Sequence, residues 1–285
     1  MVEFDVPEVD YSRYSNRQLV AVPLVLLALA LVVIAGFLVL TGKPVALGVA
    51  FTGGTELRVG NVSDPGSLDT VFDTEIESVA PVGQTGDQYL VTFPPTDEDV
   101  AGKARDEGYA VEQAQERAAS FGAQSQRQAL LGIGVAFLGM SVLVFALFRT
   151  FIPSIAVVAS AFSDIVIPVA LMNLLGIELT LGTVAALLML IGYSVDSDLL
   201  LNNHILRRRG DFYESTYRAM RTGVTMTLTS IAAMAVMTLT SSLLGIPLLP
   251  EVGLILVFGL SVDLMNTYML NVSLLRYYKY EAVGS

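Results

Sequence analysis

Four aspartates interrupt the apolar stretches of this 285-residue chain: Asp164, Asp196, Asp198 and Asp263. A carboxylate at the centre of a membrane helix costs roughly 2.5–3.5 kcal/mol on insertion scales, so such residues usually face protein or water and often have a function. A carboxyl group in an apolar site can also carry a proton. We therefore predict that some of these acids, with Arg221 at the start of the fifth apolar stretch, form a pathway for protons or cations.

The same acids could instead hold helices together. Ser, Thr and Asn side chains of neighbouring spans can hydrogen-bond to a buried carboxyl group, and membrane bundles use such contacts for packing. Asp196 and Asp198 are about 200° apart around a helix, so they cannot both reach one partner. Arg221 could likewise be only an anchor at the membrane surface. Both interpretations stay open for each of these residues.

The composition excludes most soluble functions. Hydrophobic residues make up 53% of the chain and charged residues 15%, whereas a soluble domain carries about 25% charged residues. There is no cysteine and only one histidine, His204, so we expect no disulfide, no thiol catalysis, no metal site and no cofactor. The formal net charge of −11 argues against binding to nucleic acid.

The sequence also predicts no catalytic residues. Intramembrane aspartyl enzymes use a tyrosine–aspartate pair and a glycine-x-glycine-aspartate motif, and neither occurs here. A serine–histidine site would need Ser194 to meet His204, but the helix between them is about 15 Å long. We therefore expect that the protein is not an enzyme.

Six apolar runs are long enough to position these polar groups inside a membrane, because a hydrocarbon core about 30 Å thick takes roughly 20 helical residues to cross. The runs are Leu19–Leu40, Ala129–Phe148, Phe151–Leu175, Leu179–Asn202, Thr222–Leu244 and Val252–Leu275. The last five fill residues 129–275, and residues 1–18, 41–128 and 276–285 lie outside the runs. The first run exceeds the roughly 7–15 residues of a signal-peptide core, so we expect it to stay as a membrane helix.

The basic residues predict the orientation of the spans. Ten of the sixteen Lys and Arg residues lie near the two termini or next to the loops that follow the second and fourth spans. The other six all lie between Lys43 and Arg127. Basic residues concentrate on the cytoplasmic side, whereas long loops cross the membrane largely regardless of their charge. We therefore predict a multi-pass protein of the cell membrane with both termini in the cytoplasm and residues of about 41–128 outside.

The segment between the first two spans has a different composition and carries 14 acidic residues against 6 basic ones. Alternation of apolar and polar residues predicts strands over Ala50–Val59 and Gln88–Phe93, and helical spacing predicts helices over Ser67–Ala80 and Thr96–Gln128. Thr96 with Asp99 resembles a capping box. The predicted fold is an all-α polytopic membrane bundle of six transmembrane helices, with a small α+β extracytoplasmic domain inserted between helices 1 and 2.

Several motifs resemble those of the SecF family of protein-export membrane proteins. The run Phe51-Thr52-Gly53-Gly54-Thr55 resembles the signature that follows the first span of SecF proteins. Residues 183–188, followed by Ile191-Gly192-Tyr193-Ser194, resemble the fourth span of that family. Arg221-Thr222 resembles the pair that opens its fifth span, and Ser163-Asp164 falls where bacterial members have histidine and aspartate.

The resemblance implies an accessory subunit of the Sec protein translocase. SecF proteins pair with SecD in a twelve-span assembly of the resistance–nodulation–division type, beside the SecY channel in the lipid bilayer, and promote export of secretory proteins. In bacterial members, proton flow is thought to move the exterior domains. Two alternatives stay open: a scaffold that stabilises SecD without coupling, and half of a small-molecule exporter of the same superfamily.

One position departs from the bacterial pattern of the fourth span. Aligned on Gly192-Tyr193-Ser194, the aspartate of that pattern falls on Ser197, which is flanked by Asp196 and Asp198. This variant resembles the archaeal branch of the family. The resemblance therefore does not say which of the two flanking acids takes the aspartate's role, whereas Asp164 and Arg221 correspond directly by position. We expect a structural role for Gly53 and Gly54, since glycine lets a backbone turn tightly.

Overall fold

A computed structural model describes residues 6, 9–82, 86–207 and 211–282. Six helices are long and apolar enough to cross a membrane. They are α1 Asn16–Thr41, α4 Ala119–Phe148, α5 Phe151–Leu175, α6 Leu181–Arg207, α7 Phe212–Leu243 and a sixth span that begins with α8 Leu249–Met265. The prediction of a six-helix membrane bundle with a small α+β domain is confirmed.

The sixth span changes its helical form along its length. After α8 the chain is π-helical over Asn266–Asn271, α-helical again in α9 Val272–Tyr277, and π-helical over Tyr278–Ala282. A π-turn is rare inside an α-helix and often occurs at a functional site. The apolar pattern of the sequence does not reveal it, because the residues on either side have ordinary helical spacing.

The domain inserted between α1 and α4 is an antiparallel sheet with one short helix. The strands are β1 Gly54–Gly60, β2 Ser78–Pro81, β3 Tyr89–Phe93 and β4 Ala110–Arg117, in the order β2-β3-β1-β4. The short helix α3, Val100–Asp106, covers one face. Leu57, Val91 and Phe93 are fully buried beneath it, so this domain has its own hydrophobic core.

Both helix predictions for this domain are wrong. Residues 67–80 are not a helix, because a short 3₁₀ turn over Pro65–Thr70 is followed by β2, which pairs with β3. Residues 96–128 contain α3, β4 and only the start of α4. The polar strand β4 looks helical in sequence but is fixed by its pairing with β1, so tertiary contacts override local preference.

The start of the domain also differs from the prediction. The chain makes one helical turn, α2 Val49–Thr52, before β1 begins at Gly54. Asp99 alone caps α3 by accepting a hydrogen bond from Gly102 N, whereas Thr96 accepts one from Glu98 N. Thr96 is therefore not part of a capping box.

Two consecutive glycines make the turn from α2 into β1. Gly53 has a φ of +78° and Gly54 a φ of +120°, where side chains are strained. A Cβ atom on Gly53 would lie 2.6 Å from Ala119 Cα, and one on Gly54 would lie 2.2 Å from Phe93 O. The pair therefore lets the strand pass close to the start of α4, while Phe51 is buried among apolar residues of the bundle.

The inserted domain sits on one end of the bundle. Leu179 N, between α5 and α6, donates to Ala46 O at 2.7 Å, and Gly48 N donates to Leu179 O at 3.0 Å. Arg58 Nη1 of β1 donates to Gly245 O, after α7, at 2.7 Å. The segment before α1 contacts the opposite end, where the sixth span finishes.

Candidate functional site

Three aspartates on three different spans lie in the centre of the bundle. Asp164 of α5, Asp198 of α6 and Asp263 of α8 are at most 1% exposed. These spans are the most buried of the six, whereas most of α1, α4 and α7 lies on the outside. The three carboxyl groups and their hydrogen-bond partners are called the carboxyl cluster below.

Asp164 receives hydrogen bonds from the other two central spans. Ser194 Oγ of α6 donates to its Oδ2 at 2.6 Å, and Asn266 Nδ2 of the π-helical turn donates to its Oδ1 at 2.6 Å. Both donors are buried and neutral. Asp164 therefore links α5 to α6 and to the sixth span.

Asp198 takes both of its hydrogen bonds from the π-helical turn, and both reach one oxygen. Thr267 Oγ1 donates to Oδ1 at 2.9 Å and Asn271 Nδ2 donates to the same atom at 2.8 Å. The other oxygen, Oδ2, is buried without a hydrogen-bond partner. A buried polar atom without a partner is costly, so this oxygen is a place where a proton or a ligand would be held.

Hydroxyl groups connect Asp263 to the other carboxyl groups of the cluster. Ser197 Oγ of α6 lies 2.9 Å from Oδ1 and 3.1 Å from Oδ2 of Asp263. Thr267 Oγ1 lies 3.4 Å from Oδ1, and it is also 3.2 Å from Ser197 Oγ. Through Thr267, the carboxyl groups of Asp263 and Asp198 share one hydroxyl group.

All the groups that hydrogen-bond to these carboxyl groups are neutral. In the part of the chain that the structure describes, the buried polar residues include no Lys or Arg. Ser160 Oγ, Ser163 Oγ and both polar atoms of Asn202 are also buried without a partner. The cluster is therefore a polar region with spare hydrogen-bonding capacity inside an apolar bundle, and it holds no basic side chain to balance negative charge.

Hydrogen bonds link the carboxyl groups of the cluster to hydroxyl and amide groups. Over the described ranges, no group of three or more His, Asp or Glu residues is arranged to hold a metal. The short contacts at Asp164 are ordinary hydrogen bonds from a hydroxyl and an amide. Carboxyl and hydroxyl groups linked in this way can pass a proton from one to the next.

Four candidates from the sequence point away from the cluster. Asp196, Gly192 and Tyr193 lie on the outer surface of α6, and Arg221 lies on the outer surface of α7. Asp196 and Asp198 therefore face opposite ways, as their spacing requires. Ser194 and Ser197, which the fourth-span motif includes, point inward and donate to Asp164 and Asp263.

The sequence reasoning missed two donors of the cluster, Thr267 and Asn271. Their signal was present, because Asp263, Thr267 and Asn271 follow each other at intervals of four residues, which places polar groups along one helix face. Such a polar stripe inside an apolar span marks a face that meets protein rather than lipid. Asn266, also near the cluster, reaches Asp164 through the π-helical turn.

Glu178 and Glu98 are among the titratable groups outside the spans that have shifted pKa values. Burial raises the pKa of Glu178, between α5 and α6, to about 7, and repulsion from Glu56, Glu77 and Glu251 adds to this. In the inserted domain, hydrogen bonds from Lys103 and Thr74 lower the pKa of Glu98 to about 2. Glu178 lies at the contact between the domain and the bundle. Its Oε2 is 3.0 Å from the point where a Cβ atom added to Gly48 would lie.

Known proteins place this architecture in a family. The family described as "Protein export membrane protein SecD/SecF, C-terminal" matches residues 100–281. The chain belongs to the SecD/SecF family. A protein-export membrane protein SecF of Haloferax volcanii is 64% identical over 99% of both chains, and one of Pyrococcus furiosus is 35% identical over 92% of this chain and 90% of that one. The predicted resemblance to SecF is confirmed.

Solved structures of this family share the fold. The crystal structure of SecDF from Thermus thermophilus has a TM-score of 0.75 at 20% identity and is matched over 96% of this chain. A super-membrane-facing form of SecDF has a TM-score of 0.59 at 19% identity. This chain spans about two fifths of those longer chains, with 39% and 40% matched. The family match and the similarity to SecF proteins support an accessory role in Sec-dependent export.

Proposed function

We propose that this chain is the SecF-type subunit of an export assembly, paired with a SecD-type subunit beside a SecY-type channel, and that its carboxyl cluster passes protons. The observation that carries the proposal is the meeting of Asp164, Asp198 and Asp263 without a basic partner. Three carboxyl groups without a counter-ion are tolerated in an apolar bundle only when they hold protons or take up a cation. A site of this kind changes its charge as protons enter and leave.

The distribution of contacts supports a coupling role for the cluster. Its hydrogen bonds join α5, α6 and the sixth span, and α5 and α6 are connected by the loop on which the inserted domain rests. A change in charge at the cluster alters the packing of these spans. The inserted domain, which is hydrogen-bonded to the loop between α5 and α6, then moves with the ends of these helices. Movement of this kind would promote the passage of secretory proteins on the far side of the membrane.

The proposed orientation places both termini in the cytoplasm and the inserted domain outside. Supporting this, the domain contacts the end of the bundle opposite to the terminal segments. The described basic residues outside that domain lie towards the end with the termini, as expected for a cytoplasmic side.

A SecD-type partner would cover the outer face of α6. Tyr193 is 40% exposed there, with Asp196 about one turn further along. A carboxyl group facing lipid is costly, so a protein surface with complementary polar groups is the fitting occupant. Tyr193→Ala should reduce co-purification of the partner, whereas Phe162→Ala on α5, with a ring of similar exposure at 43%, should leave it unchanged.

Proton flux through reconstituted vesicles tests the coupling. The complex purified from native membranes is placed in liposomes with a pH-sensitive dye inside, and an electrical potential is imposed. Asp164→Asn, Asp198→Asn and Asp263→Asn should each lower dye-reported flux at least tenfold. Asp106→Asn, at an exposed carboxyl group of the inserted domain, is the matched control.

The same experiment separates coupling from a scaffold role. The hydrogen bonds of the cluster also join three helices, which favours a non-coupled scaffold as the second candidate function. Normal flux and normal export in all three variants would exclude proton coupling. Loss of the partner from the complex without any change of flux per complex would favour the scaffold.

A further inference from the structure

The segment before α1 closes the end of the bundle that carries both termini. Residues 11–13 form a 3₁₀ turn, and Tyr11 is only 5% exposed. Its ring packs in a core with Leu201 of α6, Phe212 of α7 and Leu275 of α9. A tyrosine buried this deeply fixes the segment to three spans at once.

The hydroxyl group of Tyr11 reaches the π-helical turn that supplies the carboxyl cluster. It donates to Tyr268 O at 3.0 Å. Tyr268 follows Thr267, which donates to Asp198, and precedes Asn271, which donates to the same carboxyl oxygen. One hydrogen bond therefore ties the terminal segment to the backbone between two donors of the cluster.

Arg276 holds the same segment from the other side. Its Nη1 donates to Tyr11 O and its Nη2 to Tyr14 O, both at 2.9 Å, and its Nε donates to the Asn16 side chain. Arg276 follows the π-helical turn by about one helical turn. The sixth span is thus joined by three hydrogen bonds to the terminal segment and by one to the first residue of α1.

These contacts matter because they hold a π-helical turn, a form that is rare inside an α-helix. Tightening Asn266–Asn271 to an ordinary α-helix would rotate the side chains that follow the turn, so Asn271 would leave its present place at Asp198. Contacts that hold the turn in its present register also hold the donors of the cluster. Small shifts of this kind at one element can be amplified into a change of conformation.

We propose that Tyr11 and Arg276 form a latch, in which the terminal segment holds the π-helical turn in register and closes the carboxyl cluster towards the end with the termini. The inference rests on the proposed function, since it assigns a regulatory role at the same cluster. Tyr11 is a positioning residue, because it acts through the backbone of Tyr268 and does not touch the carboxyl groups.

The latch is not operated by pH in the physiological range. Burial raises the pKa of Tyr11 to about 12, so its hydroxyl group remains a donor. The guanidinium group of Arg276 binds the carbonyl oxygen of Tyr11, and the charged side chains of Asp10 and Arg13 in the same turn are exposed and pair with each other. Opening therefore requires the terminal segment to move away from the sixth span.

Amide hydrogen exchange in the intact chain, held in lipid nanodiscs, tests the latch. Tyr11→Phe keeps the ring and removes only the hydroxyl group. Exchange at residues 266–271 should then accelerate about five- to tenfold, as expected when one hydrogen bond is lost. Tyr14→Phe is the control, because only the backbone of Tyr14 contributes to the latch.

Labelling with dicyclohexylcarbodiimide, which reacts with protonated carboxyl groups in apolar surroundings, gives a second readout. Tyr11→Phe should raise the labelling of Asp198 at least threefold. Arg276→Lys keeps the charge but reaches fewer carbonyl groups, so it should have a smaller effect in the same direction. It replaces Tyr11→Phe in both measurements if Tyr11→Phe does not fold. Unchanged exchange at 266–271 with unchanged labelling, or acceleration spread evenly along α8, would overturn the proposal.

The outcomes for the latch and for proton coupling are separable. Exchange and labelling need no ion gradient, so they report on the latch even if Asp198→Asn leaves proton flux unchanged and coupling fails. Conversely, loss of flux in Asp198→Asn with normal exchange in Tyr11→Phe would retain the proposed function and exclude the latch.

Discussion

Ser197 of α6 lies within 2.9 and 3.1 Å of the two carboxyl oxygens of Asp263 on the sixth span. In the bacterial pattern that the fourth span resembles, the residue at the Ser197 position is an aspartate. Here the carboxyl group comes from the neighbouring helix and the hydroxyl group from α6. In this chain the cluster therefore has a carboxyl group at this point, and the sixth span supplies it.

Exchanging the two residues tests this relationship. Ser197→Asp alone would set a second carboxyl group against Asp263. Asp263→Ser alone would remove the carboxyl group that Ser197 contacts and leave Ser197 only its bond to Ser194 O. Each single variant should lose about 1–3 kcal/mol of stability. The double variant should recover most of this loss, measured as thermal unfolding in detergent. Additive losses would contradict a direct pairing.

The glycine turn at the start of β1 predicts a position-specific effect of a single methyl group. Gly53→Ala should destabilise the protein by at least about 1–3 kcal/mol, because φ is +78° and the new Cβ would lie 2.6 Å from Ala119 Cα. Gly132→Ala is the control, since a Cβ there has no neighbour within 4 Å. Thermal unfolding should show a lower midpoint for the first variant only.

The contact between the inserted domain and the bundle should weaken as pH rises. The pKa of Glu178 is raised from 4.5 to about 7 by burial and by nearby carboxylates. Its ionisation therefore disfavours the docked state as pH rises from about 4.5 to 7, with no further change above that. Protection of the Gly48 and Leu179 amides, corrected for intrinsic exchange rates, should fall across this window.

Glu178→Gln should remove that pH dependence, because the amide cannot ionise. Glu75→Gln, at an exposed carboxyl group of the inserted domain, should keep it. A profile that stays the same in Glu178→Gln would show that another group controls the contact.

The stabilisation of the inserted domain by Glu98 should have the opposite dependence on pH, and should weaken as pH falls. Its carboxylate accepts hydrogen bonds from Lys103 Nζ at 2.8 Å and from Thr74 Oγ1 at 2.6 Å, and its pKa falls from 4.5 to about 2. The stabilisation is therefore complete above about pH 4.5 and is lost as pH falls towards 2. Protection of the Thr74 amide, which also donates to Glu98, should decline in this range.

Glu98→Gln should lower protection at Thr74 already at neutral pH and flatten the acid profile. The exposed Glu116 in β4 offers a matched control, and Glu116→Gln should behave like the original chain. Equal protection in Glu98→Gln and the original chain at pH 7 would contradict the assigned role.

The amino-acid sequence by itself determined the membrane architecture. A run such as Phe151–Leu175 has to cross the bilayer because water-exposed apolar helices of that length are unfavourable, and the structure gives α5 the same bounds. Helix geometry also required Asp196 and Asp198 to face different ways. The strand β3 was predicted to within one residue from its alternation.

Only the tertiary structure decided which polar groups meet. Asp164, Asp198 and Asp263 come from spans separated by long stretches of chain, and their contact depends on the rotation of each helix in the bundle, which packing sets and local sequence does not. The π-helical turn at Asn266–Asn271 and the link from Tyr11 to Tyr268 depend on the same packing. Strand β4 is a strand because β1 pairs with it, since a polar segment gains its hydrogen bonds only from a neighbour distant in sequence.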